Sequence, residues 1–305
     1  MAGLLDDPAR RRALAGIALA VGATLTFTAS TVAAVFSYEG GGEPLAAISA
    51  RYVGAMLVFV PLLHFTGIGL ALPRRERLIS LALGGLAAIQ AYCLYTSIAH
   101  IAVGLTFAIF YIYPILVALI AIAFRQDRIT PAIAVGLVVA FTGLILVFDV
   151  TGEGPNLWGS LLAIGAAISW SILVIASGGV LRTQDPRLFT FHLQISAGLI
   201  YLAICLIAGD VALPQTVKGW AGLITLPLFY AVSMLGFFGA IALIGSIRAS
   251  LLMNLEPVFS IAAGFLILGQ VLTPLQLAGA ALVIGAVLAV RIEEARPGAQ
   301  DADSG

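Results

Sequence analysis

The chain has 305 residues, of which 61% are hydrophobic and 10% charged, and its fifteen Lys+Arg balance fifteen Asp+Glu. A soluble domain usually carries about 25% charged residues, so an ordinary soluble enzyme and a disordered chain are both excluded. Without a basic surplus the chain has nothing to neutralise a phosphate backbone, which excludes a nucleic-acid binder.

Ten apolar stretches follow one another: 13–36, 45–66, 78–99, 101–124, 129–150, 157–178, 188–208, 219–243, 247–269 and 273–291. A membrane helix needs about 20 mostly apolar residues to cross the hydrocarbon. Each stretch is long and continuous, whereas a membrane barrel would alternate over ~10 residues. The first stretch follows Arg10–Arg12 and exceeds the ~7–15 apolar residues of a signal peptide, so it is expected to remain as a span. The residues left over, a short start (1–12) and a polar tail (292–305), are too few for a soluble domain. The tail is expected to be disordered.

The basic residues give an orientation. Thirteen arginines (10, 11, 12, 74, 75, 77, 125, 128, 182, 187, 248, 291 and 296) fall in one alternate set of connections, the other holds only Lys218, and Arg51 lies inside a stretch. Positive charge collects on the cytoplasmic side, so both termini are expected in the cytoplasm of a multi-pass protein of the plasma or inner membrane.

The chain also aligns with itself at an offset of 143 residues. Gly16 meets Gly159, Gly22 meets Gly165, Phe27 meets Trp170, Pro114 meets Pro257, and Thr130, Pro131 and Gly136 meet Thr273, Pro274 and Gly279. Each half, 13–150 and 157–291, then holds five spans. Five is odd, so the second half enters the membrane from the opposite side. Inverted repeats are an architecture of secondary transporters, in which two near-equivalent arrangements open to alternate faces. The expected fold is therefore an all-α integral membrane protein, ten helices in two inverted five-helix repeats around a central cavity. Proline inside a helix removes a backbone bond, so Pro114 and Pro257 predict matched kinks.

Charge inside the hydrocarbon is expensive and marks function by default. Arg51 and Glu256 are the two such residues. Arg51 can hold a carboxylate or phosphate, or else snorkel to the interface or bridge helices. Glu256 can bind an amine or a coupling proton, or else bond a neighbouring helix. A zwitterion would satisfy both. Tyr92, Phe107, Tyr111 and Trp170 are candidates for an aromatic cavity wall, with ordinary packing the alternative for each. Asn254 and Gln194 are polar groups that either line the cavity or bond another helix. His192 reads as interfacial. Cys93 and Cys205 read as packing residues, and neither they nor the three scattered histidines suggest a disulfide, metal or other cofactor.

The run Asn254-Leu255-Glu256-Pro257-Val258-Phe259, followed by Leu266 to Thr273 and Gly279, resembles the second half of EamA-type transporters of the drug/metabolite transporter superfamily. Tyr113-Pro114-Ile115-Leu116 with Gly136 and Gly143 is similar to the first. The resemblance implies ten helices, cytoplasmic termini, and export or exchange of small metabolites, amino acids being a frequent class. Gln270, whose repeat partner is Asp127, stands where that family commonly has Glu.

The expected function is a secondary transporter, an exporter of small metabolites, with a small-molecule substrate, the lipid bilayer as surroundings and a coupling proton at Glu256. Nothing resembles a catalytic or nucleotide-binding motif, so no enzyme is expected. The alternatives are a non-transporting membrane sensor or partner subunit, and a lipid or nucleotide-sugar translocator.

Overall fold

A computed structural model of the chain describes residues 8–124, 130–148, 156–209, 211–269 and 271–294. Asp127 and Gln270 lie outside the described residues, as do 1–7 and 295–305 and whatever order the tail has. All regular structure among the described residues is helical. The helices are α1 (Pro8–Glu39), α2 (Pro44–Phe65), α3 (Arg74–Ile98), α4 (Val103–Phe110), α5 (Tyr113–Ala123), α6 (Pro131–Val147), α7 (Leu157–Leu181), α8 (Pro186–Ala208), α9 (Val217–Ile244), α10 (Ser246–Met253), α11 (Leu255–Leu268) and α12 (Pro274–Glu294).

Local chemistry sets many of the boundaries. Proline opens α2, α6, α8 and α12, where its missing N–H is not needed and its φ is already helical. Thr130, Asn156, Asp185 and Thr216 cap α6 to α9 by accepting from backbone N–H groups of the first turn, which satisfies donors that the helix leaves free.

Eight segments are long and apolar enough to cross a membrane: α1, α2, α3, α4 with α5, α7, α8, α9, and α10 with α11. Two shorter apolar helices, Pro131–Val147 and Pro274–Ala289, fill the remaining two of the ten stretches. Between 39% and 61% of each long window is buried. The rest includes outward-facing side chains such as Leu57, Leu119, Ile224 and Leu266, a surface that suits lipid and not water.

The prolines act differently from an interior kink. The fourth stretch breaks at Tyr111–Ile112 and the ninth at Asn254, so Pro114 and Pro257 stand in the first turns of α5 and α11. Each stretch stops and restarts, which places a proline where a helix tolerates it. The two breaks are repeat equivalents.

Packing runs mainly between the halves: α1 on α9, α3 on α7, α2 on α8, and α6 on α12. The contacts repeat in detail. A methyl group at Gly16 would meet Ile244 Cγ2 at 2.5 Å and Leu243 Cβ at 3.0 Å; one at its equivalent Gly159 would meet His100 Cβ at 2.8 Å and Ile101 Cγ2 at 2.9 Å. His100 and Ile101 are themselves the equivalents of Leu243 and Ile244. Close backbone approach at small residues is how helices associate where lipid offers no hydrophobic drive.

Candidate functional site

A cavity of about 370 Å³ runs from the α1–α2 connection to the break between α10 and α11. Its mouth is formed by Val35 and Tyr38 of α1, Pro44 of α2, Ile98 of α3 and Val103 of α4. Its depth carries Phe107, Phe110, Tyr111, Tyr113, Trp170, Tyr230, Met253 and Glu256. The two breaks thus meet in one space: Phe110 and Met253 are repeat equivalents, as are Tyr113 and Glu256, and all four line it.

Arg51 lies on its wall. The guanidinium carbon stands 5.2 Å from the centre of the Tyr230 ring and 5.6 Å from that of Phe27. Ring faces attract a cation without consuming its hydrogen-bonding edge. Arg51 Nε is buried without a hydrogen-bond partner among the described residues. Glu256 Oε1 accepts from Ser260 Oγ at 3.2 Å. Arg51 and Glu256 share the cavity, yet the ion pairs found among the described residues include none between them. A guanidinium and a carboxyl held apart in an apolar chamber can engage opposite charges on one small molecule.

Aromatic contacts make the wall continuous. Trp170 stacks on Phe237 at 5.9 Å, Tyr111 on Phe148 at 5.6 Å, and Phe107 on Phe148 at 6.0 Å. Tyr52 stacks on Tyr201 at 5.2 Å and meets Tyr230 edge-on at 5.6 Å. Such pairs fix ring positions, so the chamber is preformed.

Of the residues singled out from the sequence, Arg51, Phe107, Tyr111, Trp170 and Glu256 line this cavity, and Tyr92 and Asn254 do not. Tyr92 is 62% exposed on the outer side of α3. Gln90, Ala91, Leu94, Tyr95 and Ile98 form the cavity stripe of that helix, and Tyr92 is off it by the 100° step of an α-helix. Asn254 is buried behind the wall, its Oδ1 without a partner among the described residues. His192 is buried, and its Nδ1 lies 2.9 Å from the Leu188 carbonyl. Sequence reasoning missed Phe27 and Tyr230 as the rings around Arg51. The alignment of Phe27 with Trp170 was the available signal; Tyr230 offered only its place in the middle of a span.

A second, smaller pocket of about 240 Å³ lies at the other end of α1, between Arg12, Ala121, Gly178, Leu181, Ile241 and Ser246. The last turns of α7 and the first turns of α1 both line it, so α7 ends near where its equivalent α1 begins. Among the described residues no cluster of three or more His, Cys, Asp or Glu could hold a metal ion.

Comparison with known proteins agrees with this architecture. A solved crystal structure superposes over 91% of this chain and 98% of its own with a TM-score of 0.78, at 17% sequence identity, which is a likeness of fold. The threonine/homoserine exporter RhtA of Escherichia coli (strain K12) is 28% identical over 207 residues, 65% of this chain and 64% of the exporter. The WAT1-related protein At3g02690, chloroplastic, of Arabidopsis thaliana is 30% identical over 193 residues, 59% of this chain and 46% of that protein. The chain therefore spans less than two thirds of the length of these curated relatives. The EamA-like transporter family matches twice, over residues 14–149 and 157–292, and the chain belongs to the EamA-like transporter family of the drug/metabolite transporter superfamily.

Proposed function

We propose that the protein is a secondary active exporter of small zwitterionic metabolites, amino acids above all, and that it works by alternating access of its two halves. The observation that carries this reading is the meeting of a guanidinium and a carboxyl in one aromatic cavity without an ion pair between them among the described residues: Arg51 lies against rings, and Glu256 accepts from Ser260. Arg51 receives the ligand carboxylate. Glu256 receives its amine, and exchanges a proton when the amine leaves. The rings take the apolar part of the molecule. The exporter among the relatives, whose name specifies threonine and homoserine, supports an amino-acid class and the outward direction.

In this reading all ten apolar segments span the membrane of the cell, the two shorter helices included, with residues 13–150 and 157–291 as inverted repeats. The basic connections lie in the cytoplasm, as do both termini. The cavity mouth beside the α1–α2 connection is then the outer one.

The test compares extracellular metabolites from cells expressing the wild type, Arg51→Ala or Glu256→Gln at matched membrane insertion. The reading expects one amino-acid class to be enriched by the wild type alone. Equal profiles from all three proteins, with no enrichment over cells lacking the chain, would sink export as the function.

A further inference from the structure

The lining of the second pocket follows the repeat. Gly178, Leu181, Ile241 and Ser246 lie 143 residues after Val35, Tyr38, Ile98 and Val103, which form the mouth of the aromatic cavity. Equivalent positions thus line an opening at each end of the bundle.

The two ends are packed differently. At the second pocket α10 rests on α5 and on α7, and α7 rests on α9. The equivalent pairs at the mouth, α4 with α11, α4 with α1, and α1 with α3, make no comparable contact among the described residues. Ser246 Oγ donates to the Val174 carbonyl at 3.2 Å, whereas their equivalents Val103 and Thr31 line the open cavity. A methyl group at Gly178 would come within 2.8 Å of Ser246 Oγ. Absence of a side chain at that position lets Ser246 approach α7 this closely.

Gln194 is the repeat equivalent of Arg51. It is 0% exposed, and neither amide atom has a hydrogen-bond partner among the described residues. Tyr230, one of the rings that flank Arg51, interacts with that amide without closing a hydrogen bond. A fully buried amide left short of its bonds is disfavoured, so another arrangement could relieve a penalty that the described one carries. Arg51, its counterpart, already faces a cavity. We propose that the pocket at Gly178 and Ser246 is the closed counterpart of the cavity mouth, and that Gln194 becomes the ligand's polar contact when that end opens. This rests on the alternating-access reading and assigns the second half of its pathway. The ligand class is a small carboxylate-bearing molecule. A neutral amide holds a carboxylate less firmly than a guanidinium, since charge-assisted hydrogen bonds are roughly twice as strong. The two ends therefore differ in affinity, with the weaker grip at Gln194.

The experiment uses full-length protein carrying Cys93→Ala and Cys205→Ala, with either Val35→Cys at the mouth or Ala121→Cys in the second pocket as reporter. The protein is reconstituted in vesicles and labelled from either face with a membrane-impermeant maleimide; the ratio of the two rates reads the balance of arrangements. Gly178→Val, which gives the closed end the residue of the open one, is expected to raise Ala121→Cys labelling about tenfold and slow Val35→Cys labelling to match. Gln194→Met, close in shape and free of the unbonded amide, is expected to move the ratio about tenfold the other way, equivalent to ~1.4 kcal/mol. A ratio within about twofold of wild type for Gln194→Met, while the wild type still labels at both ends, would overturn the role of Gln194 alone. Faster labelling of Ala121→Cys in Gly178→Val with no slowing at Val35→Cys would show local opening, and would overturn the pairing of the two ends. Absence of Ala121→Cys labelling in every protein would overturn this proposal together with the exchange on which it rests.

Discussion

The two ends of the bundle use the same backbone plan with different side chains. At the mouth stand Val35, Tyr38 and Val103, and the helices part; at the opposite end stand Gly178, Leu181 and Ser246, and the helices meet. The connections differ in backbone as well. Gly245, between α9 and α10, has φ 83° and ψ 166°, while its equivalent Ala102 has φ −54° and ψ 141°. A positive φ of that kind is open to glycine and strained for alanine. The comparison teaches that equivalent positions line a pocket at each end, and that small residues let the helices pack together at one of them.

The strongest way to sharpen this contrast is to erase its polar half. Arg51→Gln gives both halves the same residue at equivalent positions, and should weaken binding of a carboxylate ligand roughly 30- to 100-fold, the loss of a charge-assisted contact in a buried site. Isothermal titration with a panel of free amino acids measures it; a loss under threefold for the best binder would remove Arg51 from the ligand site. Glu256→Gln keeps the shape and deletes the exchangeable charge. Flux through it should lose its dependence on the pH gradient while ligand still binds, as read from proteoliposomes with and without an imposed gradient.

A smaller effect is expected from Ser246→Ala, which removes the bond to the Val174 carbonyl at the closed end. The net worth of such a bond, ~1 kcal/mol, predicts about fivefold easier opening there, measurable by maleimide labelling at Ala121→Cys. An effect of similar size concerns Asp185, the cap of α8, whose side chain accepts from the Arg187 backbone N–H at 2.8 Å and pairs with its guanidinium. Those hydrogen bonds to Arg187 hold the Asp185 carboxyl below its ordinary range. A lowered folded value stabilises above the unfolded pKa of about 4, and that stabilisation is lost as pH falls through the folded value. Asp185→Ala should therefore lower thermal stability by the ~1 kcal/mol of a lost cap at neutral pH, and by less under acid conditions. An equal deficit at pH 7 and pH 3 would show that the charge is immaterial.

Much of this was legible in the sequence, for reasons that belong to the membrane. Lipid demands long unbroken apolar runs, so all ten stretches could be read and each is helical. Proline and glycine are rare enough as matched pairs for the 143-residue offset to stand out. The cavity was legible as two charges and a group of rings. What escaped was rotation about each helix axis: Tyr92 and Tyr95 look alike in sequence, and only the packing of α3 decides that Tyr95 faces inward. The prolines marked the right places but not the form, because a helix that stops and restarts looks the same in sequence as one that bends. The aromatic flanks of Arg51 come from α1 and α9, far away in the chain, and no local pattern announces them. Gln194 was visible as a polar residue; its register with Arg51 shows only through the 143-residue offset.

The pairing of α1 with α9, α3 with α7, α2 with α8 and α6 with α12 bears on how the chain is made. At the crossing of α6 and α12, a methyl at Gly143 would stand 2.7 Å from the Gly279 carbonyl oxygen and one at Gly279 2.5 Å from that of Gly143, so even the last helix of each half is fitted to the other. Each half packs on the other more than on itself. The first half must wait in the bilayer during synthesis, its small-residue faces uncovered, until α7, α8 and α9 leave the ribosome. A ribosome stalled between α6 and α7 would leave a segment whose helices are all inserted and whose principal partners do not yet exist.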